Sequence, residues 1–259
     1  MTDAARIAVL SDIHGNLPAL EAVLAEVESV GVDLLVLNGD LADGPFPVET
    51  LDLLHSLGDR AVWVRGNGDR WLVEAFDGVF RPTGGPADEL IEWAAGMLSR
   101  EHRDLLAAAS LTVSFDDVPG LGSVGFCHAT ARDDNEMVLV DSTIDHFREA
   151  FAASEEETMV VGHCHMPFDR LFDRRRIVNA GSVGMPYGHT GASWALLGNQ
   201  MTLRRTGYDA DAAAELMSGT GMPDLRAFLD ENICETPSDT EAMDVFSKVR
   251  EKQLRARSS

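Results

Sequence analysis

The sequence predicts an α/β fold: a layered sandwich of two sheets with helices outside, carrying a helical appendage at its C-terminal end. Three patterns predict it. Strands and helices alternate near the N-terminus, closely spaced strands dominate the middle, and the chain turns helical again from about Tyr208. The expected division is a domain of residues 1–207 followed by an appendage of residues 208–259.

Residues 6–10 (R-I-A-V-L) read as a buried strand. Leu17, Leu20, Leu24 and Val27 then fall at helical spacing over 17–30, with Asn16 placed to cap that helix and Gly31 to end it. The unit repeats as a strand at 34–37 and a helix over 47–57, with Pro47 in its first turn and Gly58 after its last. A third strand at 61–64 completes an alternation that argues for a largely parallel sheet. One helix is expected over 86–109. The rhythm then changes to strands at 111–115, 123–127, 158–161, 176–178, 192–197 and 201–205, interrupted by a helix near 143–152. Ser238-Asp239-Thr240-Glu241 is a capping box that starts a terminal helix reaching Arg255. Three uses stay open for the tail: packing on the body, which is favoured, forming a homo-oligomer, or covering a site.

A chain of 259 residues that is 45% apolar can bury a core without disulfides. Cys127, Cys164 and Cys234 show no C-x-x-C spacing, which fits a reducing compartment better than a disulfide framework or a thiolate zinc site. The N-terminus has neither a signal-peptide core nor a membrane span, so a cytoplasmic location without a membrane partner is expected. With a formal net charge of −22, and only two lysines among 21 basic residues, the long-range field disfavours long nucleic acid as a partner. Small phosphorylated substrates remain admissible, because bound divalent cations dominate the local potential.

Five expected strands each run into residues able to bind a metal. The first ends in Asp12 and His14, the second in Asn38-Gly39-Asp40, the third in Arg65-Gly66-Asn67; later strands end in His128 and in His163-Cys164-His165. Ligand crevices form at the carboxyl ends of such strands, so these positions can converge from distant parts of the chain. If the backbone stays extended through Asp12-Ile13-His14 and His163-Cys164-His165, residues two apart face one side and each pair can serve one site. Two carboxylates, one amide and four imidazoles suit manganese, iron or zinc rather than calcium. Seven ligands exceed the needs of one ion. A pair of ions bridged by a carboxylate uses them all and leaves room for a water or hydroxide between the metals.

These motifs, D-I-H (Asp12, His14), G-D (Gly39, Asp40), G-N-G-D (Gly66 to Asp69), His128 and G-H-C-H (Gly162 to His165), resemble the calcineurin-like metallophosphoesterase superfamily. The resemblance lies with its small bacterial and archaeal phosphodiesterase branch and covers residues 6–198. It implies a four-layer αββα sandwich and two divalent ions, manganese first, with iron, zinc, nickel and cobalt as alternatives. It further implies that Asp12, His14 and His165 hold one metal, that Asn67, His128 and His163 hold the other, and that Asp40 bridges them. Many relatives carry G-N-H-D or G-N-H-E where this chain has Gly68, so a histidine that assists the leaving group is missing. Its loss favours substrates whose leaving groups need little protonation, since a positioned acid contributes about 10²- to 10⁴-fold.

The expected activity is hydrolysis of a small nucleotide-like phosphodiester or a dinucleoside polyphosphate. The alternatives are a serine/threonine-type protein phosphatase and a non-catalytic scaffold on the same fold. Asp40, Asn67 and Asp69 are the candidate catalytic residues, with Asp69 orienting a ligand or a water. Arg132, Asn135 and His189, in loops after metal-bearing strands, are candidates for contacting substrate. Gly120-Leu121-Gly122-Ser123-Val124-Gly125 matches a dinucleotide fingerprint but precedes a strand, and so reads as a turn. His55, His102 and His146 fall in or beside helices and are read as packing or surface residues, Cys127 and Cys164 as small buried hydrophobes.

Overall fold

The computed structural model describes residues 6–82, 84–85 and 87–257. Residues 1–5, which begin the N-terminal stretch read as leaderless, and Pro86, expected to start a helix, lie outside them. The chain opens with β1 (Ile7–Leu10), α1 (Leu17–Val30), β2 (Leu34–Asn38), α2 (Pro47–Ser56) and β3 (Ala61–Val64). Three helices follow: α3 (Asn67–Phe76), α4 (Ala87–Met97) and α5 (Arg100–Ala107). Next come β4 (Thr112–Val118), β5 (Gly122–Cys127), α6 (Ile144–Ala150), β6 (Thr158–Val161), β7 (Phe168–Phe172) and β8 (Arg175–Asn179). The last elements are β9 (Ala192–Leu197), β10 (Met201–Thr206), α7 (Ala210–Met217), α8 (Leu225–Phe228) and α9 (Asp239–Arg257).

Two mixed sheets result, in the orders β10-β9-β1-β2-β3 and β4-β5-β6-β8-β7. The parallel β1-β2-β3 core is the alternating unit expected from the sequence, with β9 added antiparallel to β1. Side-chain alternation sorts the strands between layers. Ile7, Val9, Leu34 and Val36 face Val124, Phe126 and Val160 between the sheets, whereas Ala8, Leu10, Leu35 and Leu37 pack outward on Leu20, Val23 and Val27 of α1. On the far side, Met159 and Val161 pack on Phe147 of α6 and on Phe151 just after it, and Ala242, Met243 and Phe246 of α9 join that cluster. The architecture is the sandwich expected, with the C-terminal helices lying against it.

The local signals act as their chemistry requires. Asn16 Oδ1 accepts from Ala19 N at 3.2 Å, and Gly31 ends α1 at φ 72°. Ser238 and Glu241 form the capping box of α9. Gly120 to Gly125 make the turn between β4 and β5 and the start of β5.

Three features differ from expectation. The stretch expected as one helix is two, because Ser99 caps α5, its Oγ accepting from His102 N at 3.2 Å. The helix α3 was not among the expected elements; Asp69 pins its first turn by accepting from Gly66 N at 2.8 Å. The strand β7 was also missed. Its inward positions are Phe168, Arg170 and Phe172, and its outward Leu171 is 74% exposed, which inverts the usual pattern in the middle of the strand. Arg170 sits inward because its guanidinium stacks over the Phe147 ring at 4.7 Å.

Candidate metal centre

The ends of β1, β2, β3, β5 and β6 meet at one edge of the sandwich. The loop after β1 is tied to the loop after β2 through Asp12 N to Gly39 O (2.9 Å) and His14 N to Asp40 O (3.0 Å). The sheets are joined there by Asn38, whose side-chain amide donates to Cys127 O at 3.0 Å while its carbonyl lies 2.8 Å from His128 Nδ1. Asp69 accepts from Asp40 N and Leu41 N, both at 3.0 Å, as well as from Gly66 N, so it couples the loop of Asp40 to the loop of Asn67.

Six of the seven expected ligands fall into two groups whose ligand atoms lie within 4.8 Å of one another: Asp12, His14 and His165, and Asp40, His128 and His163. Asp40 also groups with His14 and Asp43, so its carboxylate stands between the two sets. The seventh, Asn67, places one atom of its amide 3.0 Å from His163 Nδ1. Asp12, Asp40 and Asn67 are all buried, as are His14, His128 and His165.

The backbone is not extended through the paired ligands. Asp12 (φ 54°), His14 (47°), Asp40 (52°), His163 (67°) and His165 (57°) all adopt the left-handed conformation, which costs about 1–3 kcal/mol at a non-glycine residue and persists only where surroundings impose it. The expected pairing is corrected accordingly. Asp12 and His14 do share a group, but His163 and His165 are split between the two groups, because the tight turn at Gly162-His163-Cys164 aims successive imidazoles differently. Cys164 is turned away into the core, where Asn179 Nδ2 lies 3.2 Å from its sulfur.

Whether this set fits divalent cations is tested by its own hydrogen bonds. His14 Nδ1 lies 3.1 Å from Asp43 Oδ2, His128 Nδ1 2.8 Å from Asn38 O, and His165 Nδ1 2.8 Å from Met185 O. Each neutral ring therefore donates through Nδ1 and turns the lone pair of Nε2 inward. The inward atoms crowd together: His14 Nε2 is 3.1 Å from His165 Nε2, which is 3.2 Å from Asp12 Oδ1, and His128 Nε2 is 3.3 Å from Asp40 Oδ2. Converging acceptors of this kind need positive charge between them. Burial opposes a charged imidazole, yet Asp43 beside His14 and Asp40 beside His128 raise their pKa values to about 9 and about 10. Burial lowers His163 to about 4, assisted by the charge of His128. Burial also resists ionisation of Asp40, but His128 and His14 hold its pKa well below the usual carboxylate range. The charge these carboxylates require is supplied by protons on imidazoles or by cations in their place, and the donor set fits two divalent ions.

Asp43 was missed in the sequence, although G-D-L-A-D carries a second carboxylate three residues after Asp40. It also explains Gly68: a Cβ there would lie 2.5 Å from Asp43 Oδ2. Tyr187, stacked on His165 with ring centroids 5.3 Å apart, had no motif to reveal it. Of the residues expected to contact substrate, Arg132 is bound to Glu136 through Nε (2.9 Å) and Nη2 (2.7 Å), and its side chain is 33% exposed. Asn135 is held by its neighbours, its N donating to Asp133 Oδ1 and its O accepting from Gln253 Nε2. His189 is exposed in the loop between β8 and β9. The other histidines are accounted for locally, His102 by Asp52 and His146 by Glu136, while His55 has Glu101 at 3.9 Å. Among the described residues, no helix is long and apolar enough to cross a membrane.

Comparison with known proteins places this arrangement. Residues 5–200 match the model of the calcineurin-like phosphoesterase superfamily domain. An uncharacterized protein of Methanocaldococcus jannaschii is 28% identical over 242 residues, covering 84% of this chain and 94% of its own. A symmetrical bis(5'-nucleosyl)-tetraphosphatase of Cronobacter sakazakii is 32% identical over 150 residues, a match spanning 52% of this chain and only 50% of that enzyme. The crystal structure of a metallophosphoesterase from Sphaerobacter thermophilus superposes with a TM-score of 0.66 at 26% identity, covering 87% of this chain and 98% of its own. That of a hypothetical protein from Pyrococcus horikoshii OT3 gives 0.72 at 20% identity, covering 86% and 97%.

Proposed function

The chain belongs to the calcineurin-like phosphoesterase superfamily and is a metal-dependent phosphoesterase with a two-metal centre, and we propose that its substrate is a small nucleotide-like phosphodiester or dinucleoside polyphosphate. The observation that carries the reading is the pair of carboxylate and imidazole groups with Asp40 between them.

In this reading Asp12, His14 and His165 would hold one ion, Asn67, His128 and His163 the other, with Asp40 shared between them. Manganese is the ion we put first, with iron, zinc, nickel and cobalt as alternatives, since a mixed oxygen and nitrogen set of this kind admits all of them. When bound, two such cations would supply the charge that makes hydroxide available near neutral pH and polarises the phosphoryl oxygens. The protein's own groups fix the geometry: Asp43, the Asn38 carbonyl and the Met185 carbonyl orient three imidazoles, and Asp69 locks the backbone of Asp40. Gly68 leaves that position without a proton donor, which favours phosphoanhydrides and activated esters over simple alkyl esters. The partial match to tetraphosphatases supports the same substrate class.

Turnover of diadenosine tetraphosphate, bis-p-nitrophenyl phosphate and a phosphoserine peptide by the manganese-loaded protein tests the reading. The expected order places the first two ahead of the peptide by at least about tenfold in kcat/KM, with chelator and Asp40→Ala each removing turnover. A peptide preferred by that margin would assign a protein phosphatase instead.

A further inference from the structure

A pocket of about 260 Å³ lies beside the metal-ligand cluster, lined by Arg65, Arg70, Leu111, Arg132, Asp133 and Asp134. Three guanidinium groups around one cavity stand out in a chain of net charge −22. Their placement follows from the loops that present the ligands: Arg65 and Arg70 flank Asn67, and Arg132 follows His128 by four residues. Two buried carboxylates hold them in position. Asp134, whose side chain is 5% exposed, accepts from Arg65 Nε (3.1 Å) and from Arg70 Nε (3.0 Å) and Nη2 (2.9 Å). Glu136, at 1% exposure, accepts from Arg132 Nε and Nη2.

The three side chains nevertheless stay 34%, 31% and 33% exposed. Among the described residues no acceptor engages Nη1 or Nη2 of Arg65, or Nη1 of Arg132, so fixed donors remain for an incoming anion. The wall of the pocket also touches the cluster, through Asp134. The amide atom of Asn67 that lies 3.0 Å from His163 Nδ1 is 3.1 Å from the Asp134 carbonyl oxygen, so one residue lines the pocket and touches a ligand. Asp134, Glu136, Glu74 on Arg70 and the pocket-lining Asp133, itself paired with Arg257, offset the arginines' charge in full, which leaves binding to the geometry of the free N–H groups; planar guanidinium forks match phosphate oxygens in this way.

We propose that this pocket binds a second phosphate of the substrate, next to the one attacked at the metal centre, so that the enzyme selects molecules with contiguous phosphates. The inference rests on the phosphoesterase reading and narrows it from any small phosphodiester to a polyphosphate chain.

The test uses the manganese-loaded protein with the metal in excess, inorganic tripolyphosphate and orthophosphate as probes, and the variants Arg65→Gln, Arg132→Gln and Arg65→Lys. Binding is followed by calorimetry and by inhibition of bis-p-nitrophenyl phosphate turnover. Tripolyphosphate is expected to bind the wild type at least about tenfold more tightly than orthophosphate; each glutamine variant should lose most of that preference, and Arg65→Lys should keep part of it. A wild type without the preference would overturn the proposal. So would variants that lower kcat while the preference persists, since that marks a structural role exerted through Asp134 and Asn67. Calorimetry does not need turnover, which separates the two readings. Preference without turnover under any metal would sink the phosphoesterase reading and with it the assignment to a second substrate phosphate, whereas turnover without preference would sink only the second-phosphate site.

Discussion

The strand-end loops that carry the metal ligands and the helices that follow β10 are held in place by different physics. In the loops, polar side chains are buried, five ligands sit on left-handed backbone, and each ring or carboxylate is fixed by bonds to a neighbouring loop. In α9 only Ala242 is buried, while Met243 and Phe246 lie half-covered on the sandwich. Charged and polar side chains finish the attachment: Arg250 reaches Asp141, and Gln253 meets Met137 N and Asn135 O at 2.7 Å each. The first region therefore depends on atomic placement, and the second on summed contact area, which tolerates change.

The largest expected effect breaks the first region with one methyl group. At Gly66 a Cβ would lie 2.2 Å from Asp40 Oδ1 and 2.4 Å from Asp40 N, and both are held by other bonds. Gly66→Ala is expected to lower kcat/KM for bis-p-nitrophenyl phosphate by at least about 10²-fold, the penalty of misplacing a reacting group by an ångström. Retention of a tenth of the activity or more would show that the loops can give way after all.

A larger truncation in the second region should matter less to catalysis. Phe246→Ala removes a half-buried ring from the contact with Tyr187, 5.7 Å away, and is expected to cost about 1–3 kcal/mol, or several degrees in Tm, while turnover at 25 °C stays within about threefold. A loss of turnover as large as that of Gly66→Ala would mean that the stack of Phe246, Tyr187 and His165 governs the site, and the contrast would fail.

The smallest effect sharpens the boundary between the regions, where Glu136 binds Arg132, His146 and Thr130, with Arg257 of α9 at 3.4 Å. Burial opposes its ionisation, but Arg132, His146 and Arg257 hold its pKa well below the ordinary value of 4.5. A carboxyl whose folded pKa is depressed stabilises the fold above its unfolded pKa and loses that contribution as pH falls through the folded one. The Tm gap between wild type and Glu136→Gln should therefore be widest near neutral pH and shrink steadily below pH 4.5. A gap that grows on acidification would contradict this role.

How much of this was legible in the sequence follows from where the signals lie. Strand hydrophobicity, the Asn16 and Gly31 caps and the Ser238 box are local, and so are the ligand residues at strand ends; all could be read directly. What stayed hidden depends on partners far away. Arg170 takes an inward position in β7 because Phe147 offers its ring, and α3 opens at Asn67-Gly68 because Asp69 bonds three backbone groups, while Asp43 leaves no room for a side chain at Gly68. The left-handed ligand backbone stayed hidden because aspartate and histidine, though they adopt it more often than most residues, do so in only a small minority of cases.

The most direct test of the two-metal centre is a crystal grown with manganese and measured for anomalous scattering at the manganese edge. Two peaks are expected, one among Asp12, His14 and His165 and one among Asn67, His128 and His163, with the Asp40 carboxylate between them. A single peak, or peaks away from these residues, would contradict the account.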